Sequence, residues 1–533
     1  MQQVSQSWKD THKQTLLNES FVEVSLDITD PDAQKDITSV YANGSIYISD
    51  IYEITSVVNT PTRKYSTLEQ NIWLLDGSRE NIPDTNYLDG GFVGDVLSNE
   101  ECIFDNKIPI VTLGFEQLHS KIIPGVTISW GTAYNEYATN FIVTAYSGDT
   151  VVSEKIVVDN KSVTSIVMMD IVDYNRIEIR ILGWCLPNRR PRIDEIFIGV
   201  NKVYSKKDLF SYSHKQVVDP ISTSLPKMEI RFSVDNSDNS YNPYNLSGLA
   251  KYITERQEVK TRYGLKLNDN SIEWIKGGTF YLSEWYAMQN GISAEFVARD
   301  LLEFMSATYD DYAYQVDEER DLYSLAGYLL NLAGLPLTSD GKQMWVIDES
   351  LKSIKTKAPL PKDTIANCLQ MVANMGGCAI YPDRNGILHI APISDNLSDY
   401  VINSFNSYSK SEITISKILK EVIVKVYTYI STDKGISSET NDVVISFGDI
   451  GESITIDNPL VTDENRAVIL GNWIGNYLKN RITLKSVGRA DVRLDALDIV
   501  SNENDYGTNK VRMTNVEYTF NGAFRGTGEG RVI

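Results

Sequence analysis

Cysteine and histidine are scarce in this 533-residue chain, with four of each. Cys102, Cys185, Cys368 and Cys378 are too few for a disulfide framework, and their spacing matches no zinc pattern. With only His12, His119, His214 and His389 as helpers, no metal site is expected, and the cysteines read as packed, reduced thiols. Long apolar runs are missing too. No stretch reaches about 18 apolar residues, so no bilayer span is expected, and the opening "MQQVSQSWKDTHKQTLL" lacks the apolar core of a secretory signal. Basic charge is in deficit, with 50 Lys and Arg against 71 Asp and Glu and a formal charge of −21. That balance repels phosphate backbones and argues against nucleic-acid binding by counterion release. An acidic channel through which nucleic acid slides stays compatible with it.

Motifs that carry chemistry are also wanting. There is no helix with two His four apart, no nucleophile Ser between glycines, and no phosphate loop ending in Gly-Lys-Ser/Thr. The run Gly526 to Gly530 has no helix behind it to receive a phosphate and reads as a terminal loop. "DNSDNSYN", Asp235 to Asn242, offers oxygen ligands but lacks the sixth-position Gly and distal Glu of a calcium loop, so Asx turns are expected there. The expectation is a protein with no catalytic residues, no metal and no cofactor.

What the chain does have is strand patterning. In "FVEVSLDITD", Val22, Val24, Leu26 and Ile28 alternate with polar residues, the period of a half-buried strand. Asn43-Gly44 in "VYANGSIYIS" has the residues of a tight hairpin turn. Between about 70 and 200, short strands at regular spacing predict an antiparallel sandwich, with Val126, Ile128 and Trp130, then Ile177, Ile179 and Ile181, on its inner face. Met228 to Val234 predicts a strand, and a meander follows with turns at Asn268–Asn270, Gly277–Gly278 and Asn290–Gly291. Helical spacing then places Leu322, Leu325, Leu329 and Leu330 on one face, with a stop at Gly334. A second helix starts near Asp363 or Thr364, carries Ile365, Leu369 and Val372, and stops at Gly376. The tail returns to strands, with one helix in "TDENRAVILGNWIGNYLKNR".

The fold class expected is mainly β with α+β parts, divided as 1–69, 70–200, 201–311, 312–405 and 406–533. The stretch "KYSTLEQNIWLLDGSREN", Lys64 to Asn81, reads as the doorway into the sandwich, and "NRRPRIDEIFIGVNKVYS" as the exit. Insertion at an exposed loop with neighbouring ends is the physically easy case. One cluster in the sandwich suggests binding. Trp130, Tyr134, Tyr137 and Trp184 accompany Arg189, Arg190 and Arg192, and aromatic faces with Arg forks suit a cell-wall glycan. The competing reading makes both Trp core residues and the arginines an interface.

Several stretches resemble phage tail hub proteins, also called tail-tip or baseplate hub subunits. These are "LPKMEIRFSVDNSDNSYNPYNLSGLAKYITERQEVKTRYGL", "IEWIKGGTFYLSEWYAMQNGISAEFVARDLLEFM", "GGCAIYPDRNGILHIAP" and the closing "ADVRLDALDIVSNENDYGTNKVRMTNVEYTFNGAFRGTGEGRVI". A strand ending at Asp235-Asn236 leads to an Asn242-Pro243 turn, and Ala298-Arg299-Asp300 opens a helix, in the family's order. The block 70–200 resembles discoidin-like, galactose-binding-like sandwiches of tail proteins from phages of Gram-positive hosts. The resemblance implies two hub-type β-barrels with a small α+β domain and the inserted sandwich. It further implies a homotrimer ring of pseudo-sixfold symmetry joining the tail tube or distal tail protein to a central spike or fibre, beside other baseplate proteins, in a virion tail or related contractile injection particle assembled in the bacterial cytoplasm. DNA would pass the lumen without specific binding. The alternatives are a host-wall glycan-binding protein acting through the sandwich and a cell-wall hydrolase.

Overall fold

The computed structural model describes residues 1–14, 18–30, 32–33, 36–49, 51–55, 69, 91–287, 291–309, 319–337, 342–432 and 435–533. It is mainly β, with several sheets and three separate apolar cores. The largest sheet has 13 strands. Its main path runs Val200–Tyr204, Ser20–Ile28, Glu258–Lys266, Ile272–Ala287, Ser293–Arg299, Lys227–Asp235, Leu209–Val217, Gly507–Phe520, Phe524–Val532, Ile482–Arg489, Glu412–Ile415. Every neighbouring pair on this path is antiparallel. Ile499–Asn504 also pairs with Gly507–Phe520, and Leu397–Ile402 runs parallel beside it.

The alternation seen in the sequence explains this sheet's first core. Val22, Val24, Leu26 and Ile28 are buried, and they meet Tyr263, Phe280 and Phe296 from the meander and Tyr518 and Phe520 from the C-terminal strands. Strand Leu209–Val217 is shared. It pairs with Lys227–Asp235 on one side and with Gly507–Phe520 on the other, so the early and late β regions form one body around one core. The glycine run Gly526 to Gly530 is not a loop but the middle of strand Phe524–Val532, paired on both sides. It is glycine-rich because neighbours crowd it. A Cβ at Gly530 would run into the Arg512 backbone, and one at Gly526 would lie 3.0 Å from the Ala490 Cα.

The sandwich consists of two five-stranded sheets. One has the order Ile37–Ala42, Ile110–His119, Tyr174–Trp184, Ala138–Ser147, Thr150–Val157; the other Ser45–Ile48, Phe92–Gly94, Arg192–Phe197, Ile123–Trp130, Thr164–Ile171. Val126, Ile128 and Trp130 face Ile177, Ile179 and Ile181 across one core. Two expectations change here. Asn43-Gly44 is not a hairpin turn, because the strands on either side of it lie in opposite sheets; it is the corner between them. The sandwich also begins at Ile37 rather than near 70, since both early strands belong to its sheets. The stretch Lys64 to Asn81 lies outside the described residues, Glu69 excepted. The chain leaves the large sheet after Ile28 and returns at Val200, and these two residues are direct cross-strand partners. The ends of the excursion are therefore neighbours.

The third core joins both helices of the 312–405 segment to the strands and helix that follow it. Helix Leu322–Leu332 buries Leu322, Leu325, Leu329 and Leu330, and the Asp321 side chain caps it by accepting from the Ser324 N–H. Helix Ile365–Gly376 is capped by Thr364 and ends one residue later than expected, at Gly377 in the left-handed region (φ 67°). Helix Glu464–Leu478 lies on the hairpin of Leu419–Thr432 and Gly435–Ser446. It can approach that closely because a Cβ at Gly475 would collide with the Phe447 ring.

Candidate functional site

The seven residues of the aromatic and arginine cluster divide. Trp130 and Trp184 are 0% exposed; they pack edge-on to each other at 6.1 Å, with Phe141 against Trp130. Neither has a face to offer a sugar, so their stacking role is withdrawn. Their ring nitrogens are spent as well. Trp130 Nε1 donates to Ser165 Oγ (2.8 Å) and Trp184 Nε1 to Glu136 Oε2 (3.0 Å). Arg189 is buried, and its Nε donates to Glu136 Oε1 at 3.0 Å. Arg192 bridges Glu136 (3.8 Å) and Glu69, and its guanidinium lies 4.8 Å from the centre of the Tyr134 ring. Arg190 is half-buried and donates to the Asp95 carbonyl at 2.7 Å, and Tyr137 is half-buried against the sandwich core. The cluster thus clamps loop 131–137 to strand Arg192–Phe197 and to Glu69. Sequence patterning could not reveal this, because Glu136 is 48 positions from Trp184 and 53 from Arg189, and Glu69 is 123 from Arg192; these partners meet only in the folded chain.

The neck between sandwich and large sheet carries a second cluster. Asp27 is buried at the root, beside Asn201 and Ser25. Burial pushes its carboxyl up to about 6, with Lys260 opposing and Glu258 adding to the rise. Burial also lifts Glu195 to about 7, and Asp27 adds to it. The folded chain therefore keeps protons that the unfolded chain has released by pH 5. This contribution is whole below about pH 4 and is lost as pH rises through 6 and 7. Glu195→Gln is expected to melt with the wild type at pH 4.5 and about 2–4 °C above it at pH 8, as read by thermal melts across that range; a constant offset would contradict the assignment.

The third cluster sits where the shared strand Leu209–Val217 meets its neighbours, and it was not foreseen. Arg384, 6% exposed, enters from the turn of the hairpin Ala379–Pro382 and Leu388–Ala391. Its Nε donates to Asp495 Oδ1 (2.7 Å), its Nη1 to the Lys276 carbonyl (2.7 Å), and its Nη2 to the carbonyls of Val492 (2.8 Å) and Leu494 (3.2 Å). Burial works to raise the Asp495 carboxyl, but Arg384 beside it holds it below the ordinary range. Gln216 joins the same carboxylate (3.2 Å) and accepts from the Ala496 N–H (2.9 Å). His214 is fully enclosed, within 2.7 Å of the Tyr263 hydroxyl, and burial followed by Arg384 pushes it down to about 3. It is neutral throughout the physiological range. A cavity of about 490 Å³ opens beside this network. Asp300 on its wall accepts from the backbone of Met228 and Leu302, so its oxygens are already engaged. These groups hold parts of the chain together.

Other singled-out residues also have structural partners. In Asp235 to Asn242 the side-chain oxygens of Asp235 and Asp238 accept from the N–H groups of Ser237 and Ser240 at 2.9 Å, as Asx turns do, and Asn236 accepts from the Tyr241 N–H across the loop at 2.9 Å. Cys368 and Cys378 are buried, and burial pushes their thiols up to about 11 and about 12; Cys102 and Cys185 are half-buried. Among the described residues no group of three or more His, Cys, Asp or Glu could hold a metal, and no helix is long and apolar enough to cross a membrane.

No protein-family model matches the sequence, and no curated protein matches it. Among solved structures, the chain is similar to the 43 kDa tail protein of prophage MuSo2 from Shewanella oneidensis, with 12% identity and a TM-score of 0.42 over 62% of this chain and 94% of that one. It is similar to a tail protein from Neisseria meningitidis at 11% identity and TM-score 0.43, over 62% and 93% of the two chains. A third is prophage tail protein gp18 from Listeria monocytogenes, at 10% identity and TM-score 0.38, over 62% and 91%.

Proposed function

We propose that this chain is a structural hub subunit of a phage tail or related contractile injection particle. Three copies form a ring that joins the tail tube to a central spike or fibre, and the sandwich is carried on it as a galactose-binding-like insert. The observation that carries the reading is the shared strand Leu209–Val217, which welds the early and late β regions side by side in one sheet. Two β units fixed in one rigid body are what a chain needs if three copies are to match a sixfold tube. The family-like motifs support the same role, since they do mechanical work. Asp300 caps the short 3-10 helix Leu301–Met305 and ties it to Met228, while Arg299 pairs with Glu229 and Glu284.

The test is the native mass of the purified protein by light scattering or native mass spectrometry. A species of three times the 60.0 kDa chain is expected. A single-chain mass at every concentration up to that of assembling particles would overturn the ring.

A further inference from the structure

We propose that the outer half of the hairpin Leu419–Thr432 and Gly435–Ser446 is an arm whose free edge adds to the free edge strand Val200–Tyr204 of a second copy of this chain. The inference rests on the ring reading above and names the contact that would close it. The hairpin is paired in continuous register from Glu421–Ser446 out to Thr432–Gly435. Its inner half lies under helix Glu464–Leu478 and pairs with Glu452–Ile456. Beyond Tyr427 one face stays covered, since Tyr429 packs half-buried against the third core and donates to the Pro459 carbonyl at 2.9 Å; on the other face Thr428 and Ile430 are exposed, as are Ser431 and residues 436–440. A two-stranded ribbon bare on one face is weakly held, and its outer edge, which no strand pairs among the described residues, is a template for another strand.

The chemistry of that edge specifies what it meets. Strand Gly435–Ser446 has two carboxylates and no Lys or Arg. Glu439 and Asp442 lie on the edge strand itself, with Ile436 45% exposed and Val444 also exposed. The opposite character is found at the far end of the 13-stranded sheet. Val200–Tyr204 pairs with Ser20–Ile28 on one side and, among the described residues, with no strand on the other; sandwich strand Ile123–Trp130 lies near it, and the exposed part is Lys202–Val203. It carries Lys202, with Lys207 and the Glu19-paired Lys206 just after it and Asp208 beyond them, and exposes Val203 (48%) and Phe210. One chain therefore has an acidic apolar edge and a basic apolar edge in two different sheets. Head-to-tail strand addition between copies would pair both edges, bring Glu439 and Asp442 towards the lysines, and repeat around a ring.

The experiment compares native masses of the full chain, Glu439→Lys with Asp442→Lys, Lys202→Glu with Lys207→Glu, and all four together. These side chains are exposed, so folding is expected to be unchanged, and circular dichroism checks it. Each charge-reversed pair is expected to weaken self-association by at least about tenfold, and the four together to restore it. A wild-type oligomer that both reversals leave intact overturns the arm contact alone, gives the arm to a different partner, and leaves the ring standing. A wild type of single-chain mass overturns both.

Discussion

Arg384→Met is expected to destabilise the core around the 13-stranded sheet by about 2–4 kcal/mol, because it removes the buried half of an ion pair and leaves the half-buried Asp495 to Gln2 and Gln216 alone. Arg384 satisfies Asp495 and the carbonyls of Lys276, Val492 and Leu494 with a single guanidinium. Methionine fills similar space but supplies no donor, so a half-buried carboxylate and three carbonyls lose a partner together. Arg384→Lys is expected to rescue little, since one ammonium cannot reproduce a planar fork aimed at four acceptors. Denaturant unfolding followed by the near-ultraviolet signal of the core tyrosines would report the loss. If Arg384→Met and Asp495→Asn each cost under about 1 kcal/mol, the keystone role is wrong. A double-mutant cycle between the two positions should give a large coupling term, because they act as one unit.

Arg384 also shows where sequence reading stops. "YPDRNG" is a turn by every local signal, and it is a turn; the Asp383 carboxylate accepts from the N–H groups of Asn385 and Ile387. Nothing local says that the turn is pushed into the core, since that depends on loop 491–498 more than a hundred residues away. The strands and helices with a clear period were legible because their burial follows from their own alternation, as in Val22 to Ile28 or Leu322 to Leu330. Pairing was not. Asn43-Gly44 has hairpin chemistry, yet the strands beside it go to opposite sheets, and the choice is made by partners at 92–94 and 110–119. The glycines 526, 528 and 530 were misread for a similar reason. Their value lies in close approach of other chain segments, which composition alone renders as a loop.

Glu136→Ala is expected to cost the sandwich about 3–5 kcal/mol while the 13-stranded sheet keeps its stability. The argument follows from its partners. Glu136 is 3% exposed and takes the Trp184 indole N–H and the Arg189 guanidinium on separate oxygens, with Arg192 alongside. Removing it leaves Arg189 buried without its carboxylate and the Trp184 N–H without an acceptor. Because Trp130 and Trp184 are in contact inside this core, their emission should shift to the red at a lower denaturant concentration in the variant, and proteolysis should first cut within 37–197. Arg190→Ala is the control. Half-buried and paired mainly with backbone carbonyls, it is expected to cost under about 1 kcal/mol. The pair of variants also separates architecture from recognition. If Glu136→Ala leaves the tryptophan transition in place but abolishes retention on host cell walls, the cluster is a binding site and the clamp is the wrong account. If the transition moves and wall retention falls only in proportion to the unfolded fraction, the arginines and tryptophans are there to hold loop 131–137 in its place.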